Sequence, residues 1–273
     1  MQTDQEHHQA VQRIQQLIDS LGDDSENFAP RLRELGLAHI SFSQVKSIEF
    51  CEAEYTWRYI VQREPQPTPA YFTKGKLLHQ AIAASYRVGS STAAQLPPLP
   101  AELAPEHHLH LKNAYATHRQ NLWQHADVLA VERPFVMSLH PALPPVVGVI
   151  DLVLRDSAGL ILVDHKTGRD FAGQDALQLA IYQHYAAETW GEGDIRFYYD
   201  HYRWVTDLRR IRKPAMLRQQ ILLSENGSRG ELNRLYIAAR RIALLKERTA
   251  APGYQPRREG TCFICAYRSM CWR

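Results

Sequence analysis

The chain is 273 residues long, 45% hydrophobic and 22% charged, which is ordinary for a soluble globular protein and leaves enough apolar material for a sizeable core. No run approaches the roughly 20 apolar residues of a membrane-spanning helix, and the opening MQTDQEHHQAVQRIQQ is too polar for a signal peptide, so a cytoplasmic location is expected. A formal net charge of +3 neither demands nor excludes a nucleic-acid partner, because a local basic groove can coexist with a near-neutral total.

Residues 1–38 read as a polar amphipathic extension, with Val11, Ile14, Leu17 and Ile18 at helical spacing. Ser41-Phe42-Ser43-Gln44 fits a capping box that opens a helix running toward Cys51. A helix over about 74–86 carries His79, and a polar, Pro-rich stretch from Val88 reads as a loop or linker. Another helical pattern covers roughly 106–126. The segments 128–139, 146–155 and 160–166 are short and rich in Val, Ile and Leu, as strands should be. Asp156-Ser157-Ala158-Gly159 is a turn signal that joins the last two in a hairpin. Residues 174–190 then read as helix and 195–206 as a further strand. Two helices, at about 213–223 and 230–249, flank a loop at 224–230, and the tail from Ala251 holds three of the four cysteines. Helices, then a small sheet, then helices predict an α/β or α+β fold.

The hairpin carries the first chemistry. Asp164 and Lys166 are two apart on one strand and share a face, while His165 points the other way. If the turn is symmetric, Arg155 pairs with Leu160, and the same register sets Asp151 opposite Asp164. Two carboxylates there repel unless one is protonated or a cation lies between them, and Mg²⁺ prefers such oxygen ligands. Both aspartates could instead be strand-end charges on a solvated edge. Yet they interrupt the apolar runs VVGVIDLVL and LILVDHK, and burying a charge requires a partner.

GVIDLVL, ILVDHKTG and QLAIYQHY, in that order and spacing, resemble the G-x-x-D strand, D/E-x-K strand and Q-x-x-x-Y helix of the RecB-like branch of the PD-(D/E)xK nuclease superfamily. The resemblance implies a restriction-endonuclease-like core with a small mixed sheet flanked by helices. It covers residues 39–273, leaving 1–38 as an N-terminal helical extension. It further implies that Asp151 and Asp164 bind Mg²⁺ or Mn²⁺ with the backbone carbonyl of His165. Lys166 would orient or polarise the attacking water and stabilise charge on the phosphate. Gln178 and Tyr182, four apart on one helix face, would face the cleft and contact the DNA backbone or the water. Gly75-Lys76-Leu77-Leu78-His79 resembles the family's G-x-x-x-H element, which implies His79 as a further metal ligand and suits Mn²⁺. Glu132, in VLAVERPF, lies near the expected site or makes a surface ion pair.

Four cysteines in a reducing compartment point to metal or redox roles rather than disulfides. Cys262, Cys265 and Cys271 form a compact C-terminal group, and Cys51 lies far upstream. This arrangement resembles the iron–sulfur clasp of RecB-like nucleases, among them the AddB-type recombination nuclease and the CRISPR-associated nuclease of spacer acquisition. The context SFSQVKSIEFCEAEYTWRYI resembles the family's S-x-S-Q…C stretch, with Glu52 where Pro is common. The resemblance implies a [4Fe–4S] cluster; a structural Zn²⁺ on the same four thiols stays open.

Arg209, Arg210, Arg212 and Lys213 form a basic run that is either a solvated face or part of a DNA path. Tyr198, Tyr199, Tyr202 and Trp204 are either stacking surfaces or core. No G-x-x-x-x-G-K-[ST] sequence is present, so the chain carries no P-loop motor of its own. The expected function is a Mg²⁺/Mn²⁺-dependent deoxyribonuclease, an exonuclease rather than an endonuclease, acting on DNA ends or single strands in repair, recombination or CRISPR adaptation. A helicase or integrase is the expected partner protein. A non-catalytic DNA-binding or scaffold subunit that keeps the clasp is the rival.

Overall fold

The Val/Ile-rich segments build one mixed sheet, in order β1-β3-β4-β5-β6 with β2 also paired to β3. Its strands are β1 (Ile40–Ser41), β2 (Asp127–Met137), β3 (Val146–Asp156), β4 (Gly159–Gly168), β5 (Ile195–Arg203) and β6 (Met216–Ile221). The computed structural model describes residues 4–22, 25–64, 70–87, 96, 98–99, 101, 103–169, 171, 175–191, 193–250, 253–258 and 262–271. The Pro-rich stretch that starts at Val88 falls largely outside these residues. The helices are α1 (Asp4–Leu21), α2 (Phe28–Glu34), α3 (Phe42–Phe50), α4 (Glu52–Tyr55), α5 (Ala70–Arg87), α6 (Pro105–Gln120), α7 (Ala176–Trp190), α8 (Glu225–Thr249) and α9 (Arg268–Cys271).

The expected hairpin forms in the expected register, with Arg155 opposite Leu160 and Leu152 opposite Val163. The Asp156 carboxylate accepts the Ala158 N–H at 2.9 Å, and Gly159 takes φ +135°, which closes the turn. α7 then carries the chain back so that β5 runs parallel to β4, as a helical crossover allows.

One layer of helices, α3, α7 and α8, shares a core with Ile150, Val153, Leu160, Leu162 and Phe197 from the sheet. α5 and α6 cover the opposite face, where Leu78, Ile82 and Leu111 pack around Tyr202. α1 and α2 bury Ile14, Leu17, Ile18, Phe28 and Leu32 against Val136 and Val147. The apolar stripe seen in the sequence is thus the docking face of the N-terminal helices.

Two segments differ from the sequence expectation. Residues 216–221, expected as helix, form strand β6 on the free edge of β5. Met, Leu, Arg and Gln are good helix formers, but propensities differ by only a fraction of a kcal/mol per residue and tertiary pairing overrides them. Here Arg218 reaches across the pair to the fully buried Asp200 with two 2.8 Å bonds. The expected loop at 224–230 is the first part of α8, started by Ser224 accepting the Gly227 N–H at 3.1 Å. Ser41 caps α3 as expected, its hydroxyl accepting the Gln44 N–H at 3.3 Å, but no bond from the Gln44 side chain back to Ser41 completes the capping box. Tyr199 and Tyr202 are core residues rather than stacking surfaces, each 1% exposed.

Candidate active site

The site lies where the strands part. β3 pairs with β4 only over Leu152–Asp156, and with β1 at Val146 and Val147. Between these ladders the edge of β3 from Gly148 to Asp151 faces side chains instead of a strand. Tyr182 satisfies it by donating to the Val149 carbonyl at 2.7 Å. Asp151 satisfies the facing edge of β4, its Oδ2 accepting the His165 N–H at 2.7 Å. Asp151 and Asp164 are therefore one step beyond the last backbone pair, in a gap that a regular hairpin would have closed.

The alternation of β2 and β3 also slips here. Ile150 and Val153, three apart, belong to one core, as do Phe135 and Ala130, five apart, whereas strict alternation keeps only even spacings on one face. The slip falls at Glu132, a non-glycine residue at φ +49° in mid-strand. Its consequence is that Glu132 and Asp151 both turn toward His79 on α5. His79 Nδ1 lies 3.6 Å from Asp151 Oδ2 and 3.8 Å from Glu132 Oε1. One ligand atom from each of the three lies within 4.8 Å of the others, the one such grouping among the described residues.

Burial, with the carboxylates of Asp164 and Glu132 nearby, pushes the Asp151 carboxyl up against the opposing pull of His79. Burial alone would lower the His79 imidazole, but the surrounding carboxylates outweigh it and raise it. Three carboxylates converge on one imidazole in a covered site, and a divalent cation fits this donor set.

Asp164, 3% exposed, sits on the α7 side. Its Oδ1 accepts from Gln178 Nε2 at 2.7 Å, and its Oδ2 makes an ion pair with Lys166 Nζ at 2.7 Å. Lys166 also donates to Gln178 Oε1 at 2.9 Å, and Gln178 Nε2 approaches the Tyr182 hydroxyl at 2.8 Å. Gln178 and Tyr182 thus face the cleft, and Gln178 bridges aspartate, lysine and tyrosine. Burial would lower the Lys166 ammonium, but Asp164 and Asp151 more than compensate and keep it charged. The His165 ring points to the α5–α6 side, as the alternation predicts, and packs edge-on to His79 and His118. Burial drives its pKa well down, so it is neutral.

Cys51, Cys265 and Cys271 approach one another at the end of α3, with no three thiol sulfurs within 4.8 Å of one another among the described residues. Cys51, 5% exposed, ends that helix. The Arg257 carbonyl accepts both the Ala53 N–H at 3.0 Å and the Cys51 thiol at 3.8 Å, which lays the tail along Cys51. The Cys265 N–H bonds the Cys262 carbonyl, and Cys271 closes the short helix α9. Burial raises the Cys265 thiol, and Cys51 and Cys271 raise it further, so these thiols lie within electrostatic reach of one another. Soft thiolate donors in this number suit an iron–sulfur cluster or Zn²⁺.

A mixed sheet whose strands part around paired carboxylates, with a lysine two residues beyond the second, is the core of a restriction-endonuclease-like nuclease. The chain belongs to the PD-(D/E)XK nuclease superfamily, whose family model matches residues 39–272. A protein of Eubacterium rectale, named provisionally as an exonuclease, has a similar fold, with a TM-score of 0.56 and 13% identity over 85% of this chain and 87% of that one. The protein SSO0001 is 17% identical over 86% of each chain, but its TM-score of 0.34 gives the match no weight. No curated protein matches the sequence.

Glu132 was expected either near the site or in a surface ion pair; its turn toward Asp151 depends on a backbone conformation that no residue pattern announces.

Proposed function

We propose that the chain is a divalent-cation-dependent deoxyribonuclease that hydrolyses phosphodiester bonds by direct attack of water, on DNA ends or single strands. The observation that carries this reading is the covered His79–Glu132–Asp151 grouping set against the Asp164–Lys166–Gln178 array. His79 and Asp151, with Glu132, would hold Mg²⁺ or Mn²⁺, and Asp164 and the His165 carbonyl would complete the set. A bound cation supplies charge that neutralises the scissile phosphate and lowers the pKa of water. Lys166, kept charged by Asp164, orients the water or stabilises the phosphate as negative charge develops. Gln178 fixes the Lys166 ammonium, and Tyr182 fixes Gln178.

The name of the Eubacterium rectale neighbour favours exonuclease action. The four cysteines would hold a [4Fe–4S] cluster, with Zn²⁺ as the competing occupant. Residues 39–273 would form the nuclease domain with 1–38 as its extension. A helicase or integrase would work beside it in repair, recombination or CRISPR adaptation.

Cleavage of a labelled oligonucleotide tests the reading. Wild-type protein should cut with Mg²⁺ or Mn²⁺ and not in EDTA. Asp151→Ala, Asp164→Ala and Lys166→Ala should each abolish cutting while retaining much of the DNA affinity, since phosphate contacts elsewhere supply most of it. An Asp164→Ala protein that cuts at the wild-type rate, with contaminating nuclease excluded, would sink the assignment.

A further inference from the structure

Lys74, one turn before His79 on α5, is 5% exposed and has no carboxylate within ion-pair distance among the described residues. Its ammonium meets His110 Nδ1 at 3.2 Å and lies 4.6 Å from the centre of the Trp204 ring. Neither is an anion. An imidazole acceptor and an aromatic face soften the cost of the covered charge without cancelling it. Among the described residues two charges act on it, the Glu106 carboxylate and, against it, the Arg169 guanidinium. Arg169, exposed and two residues beyond Thr167, acts on both Lys74 and His110. Glu106 is exposed, lies beside His107 and is too far from Lys74 to form an ion pair with it.

This cluster adjoins the catalytic strand. The Trp204 N–H donates to the Gly168 carbonyl at 2.8 Å, and a side chain at Gly75 would touch Thr167 Oγ1 at 3.6 Å. Gly168 lies two residues past Lys166, roughly 7 Å along a strand. A covered cation with no ion-pair partner among the described residues, an imidazole 3.2 Å from it and an exposed guanidinium within electrostatic reach of both form a site that a phosphate would complete.

We propose that Lys74, His110 and Arg169 form a second phosphate subsite, which holds a backbone phosphate next to the scissile one and sets the register of the strand at Lys166. The proposal rests on the nuclease reading above. The Lys74 ammonium has two donors left for phosphate oxygens once His110 is served, and the Arg169 guanidinium offers a fork that matches a phosphate. Trp204 holds Lys74 in place rather than stacking on a base.

Fluorescence anisotropy with a labelled single-stranded oligonucleotide in EDTA tests this. Lys74→Met keeps the length of the stem and Arg169→Ala lies on the surface. Each should weaken binding about tenfold, the loss of one charge-assisted contact. Each should lower the slope of log Kd against log salt by about 0.7. A single methylphosphonate moved along the oligonucleotide should weaken wild-type binding at one position flanking the cut, and have no further effect there in Lys74→Met. Wild-type affinity, slope and methylphosphonate profile in both variants would overturn the subsite. Should Lys74→Met fail to fold, Arg169→Ala and the wild-type methylphosphonate map decide the question alone. Wild-type protein that neither binds nor cuts DNA overturns the nuclease reading instead, whereas cutting by wild type with both variants unaltered overturns the subsite only.

Discussion

Glu132 holds a left-handed backbone at φ +49° in mid-strand, a conformation that costs a non-glycine residue about 1–3 kcal/mol. The strain persists because the flanking pairs, Val131 with Leu152 and Arg133 with Ile150, over-determine it. What it gains is a carboxylate 3.8 Å from His79 and opposite Asp151. Glu132→Gly should therefore separate stability from binding: glycine takes positive φ freely, so the melting temperature should hold or rise, while calorimetric affinity for Mn²⁺ falls. A lower melting temperature with intact Mn²⁺ affinity would make Glu132 a structural residue. Tyr182→Phe should behave oppositely. It removes the donor to the Val149 carbonyl, so unfolding free energy should drop by about 1–2 kcal/mol; an unchanged urea midpoint would deny Tyr182 that role. The sequence announced Asp151, Asp164, Lys166, His79, Gln178 and Tyr182 because each stands in a short pattern. Glu132 and Lys74 stand in none, since their meaning lies in backbone strain and in the lack of an ion-pair partner among the described residues, which only tertiary contacts disclose.

At the scale of elements, one ionic knot ties three helices behind the site. Asp175 caps α7 by accepting the Leu177 N–H at 3.1 Å. Arg234 of α8 grips it with bonds of 2.8 and 3.1 Å, and also reaches Glu49 of α3 at 2.6 Å. Lys46 of α3 adds a fourth contact at 2.9 Å. Burial would raise the Asp175 carboxyl, but the bonds from Arg234 and Lys46 outweigh it and bring the pKa down to about 2. A carboxyl depressed on folding contributes stability above its unfolded pKa and loses it as pH falls, here between about 4 and 2. The 17% exposed side chain makes this worth roughly 2 kcal/mol. Urea unfolding of Asp175→Asn, which keeps the cap, should show a lower stability at pH 6 and a weaker decline toward pH 3 than wild type. Equal declines would place the acid sensitivity elsewhere. The same scale shows where sequence reading failed. The Asp-Ser-Ala-Gly turn and apolar runs marked the hairpin through local chemistry, whereas β6 exists because β5 has a free edge and Asp200 needs Arg218. No window around 216–221 contains either fact.

At the scale of the molecule, the chain is closed on itself. Cys51 and Arg257, 206 positions apart, are in contact, so the tail returns to the end of the helix that precedes strands β2 to β6. Part of this closure needs no metal. Glu52, 2% exposed, accepts from Arg248 at 2.9 Å, from the Arg257 N–H at 3.3 Å and from the Tyr254 hydroxyl. The residue that departs from the common proline thus anchors the tail with its carboxylate. A cluster on Cys51, Cys262, Cys265 and Cys271 would add a second fastening, with two sources of stability. Closing so long a loop restricts the unfolded chain, an effect that grows only slowly with length, and metal binding that requires the folded chain adds its own free energy. Its role should then be structural, since Cys51 ends α3 and acts on Cys265 in the tail, while the carboxylates lie on the sheet. Cys51→Ala should lower metal content, melting temperature and protease resistance together, and the bonds of Glu52 should leave the tail loosely held rather than free. Glu52→Gln in the same assays should lower the melting temperature with metal content retained. Protein purified without oxygen should be brown and carry iron and acid-labile sulfide; stoichiometric zinc without sulfide would replace the cluster with Zn²⁺ and keep the fastening. Cys51→Ala protein with full metal content and an unchanged melting temperature would remove the fastening itself, leaving Glu52 as the tail's anchor.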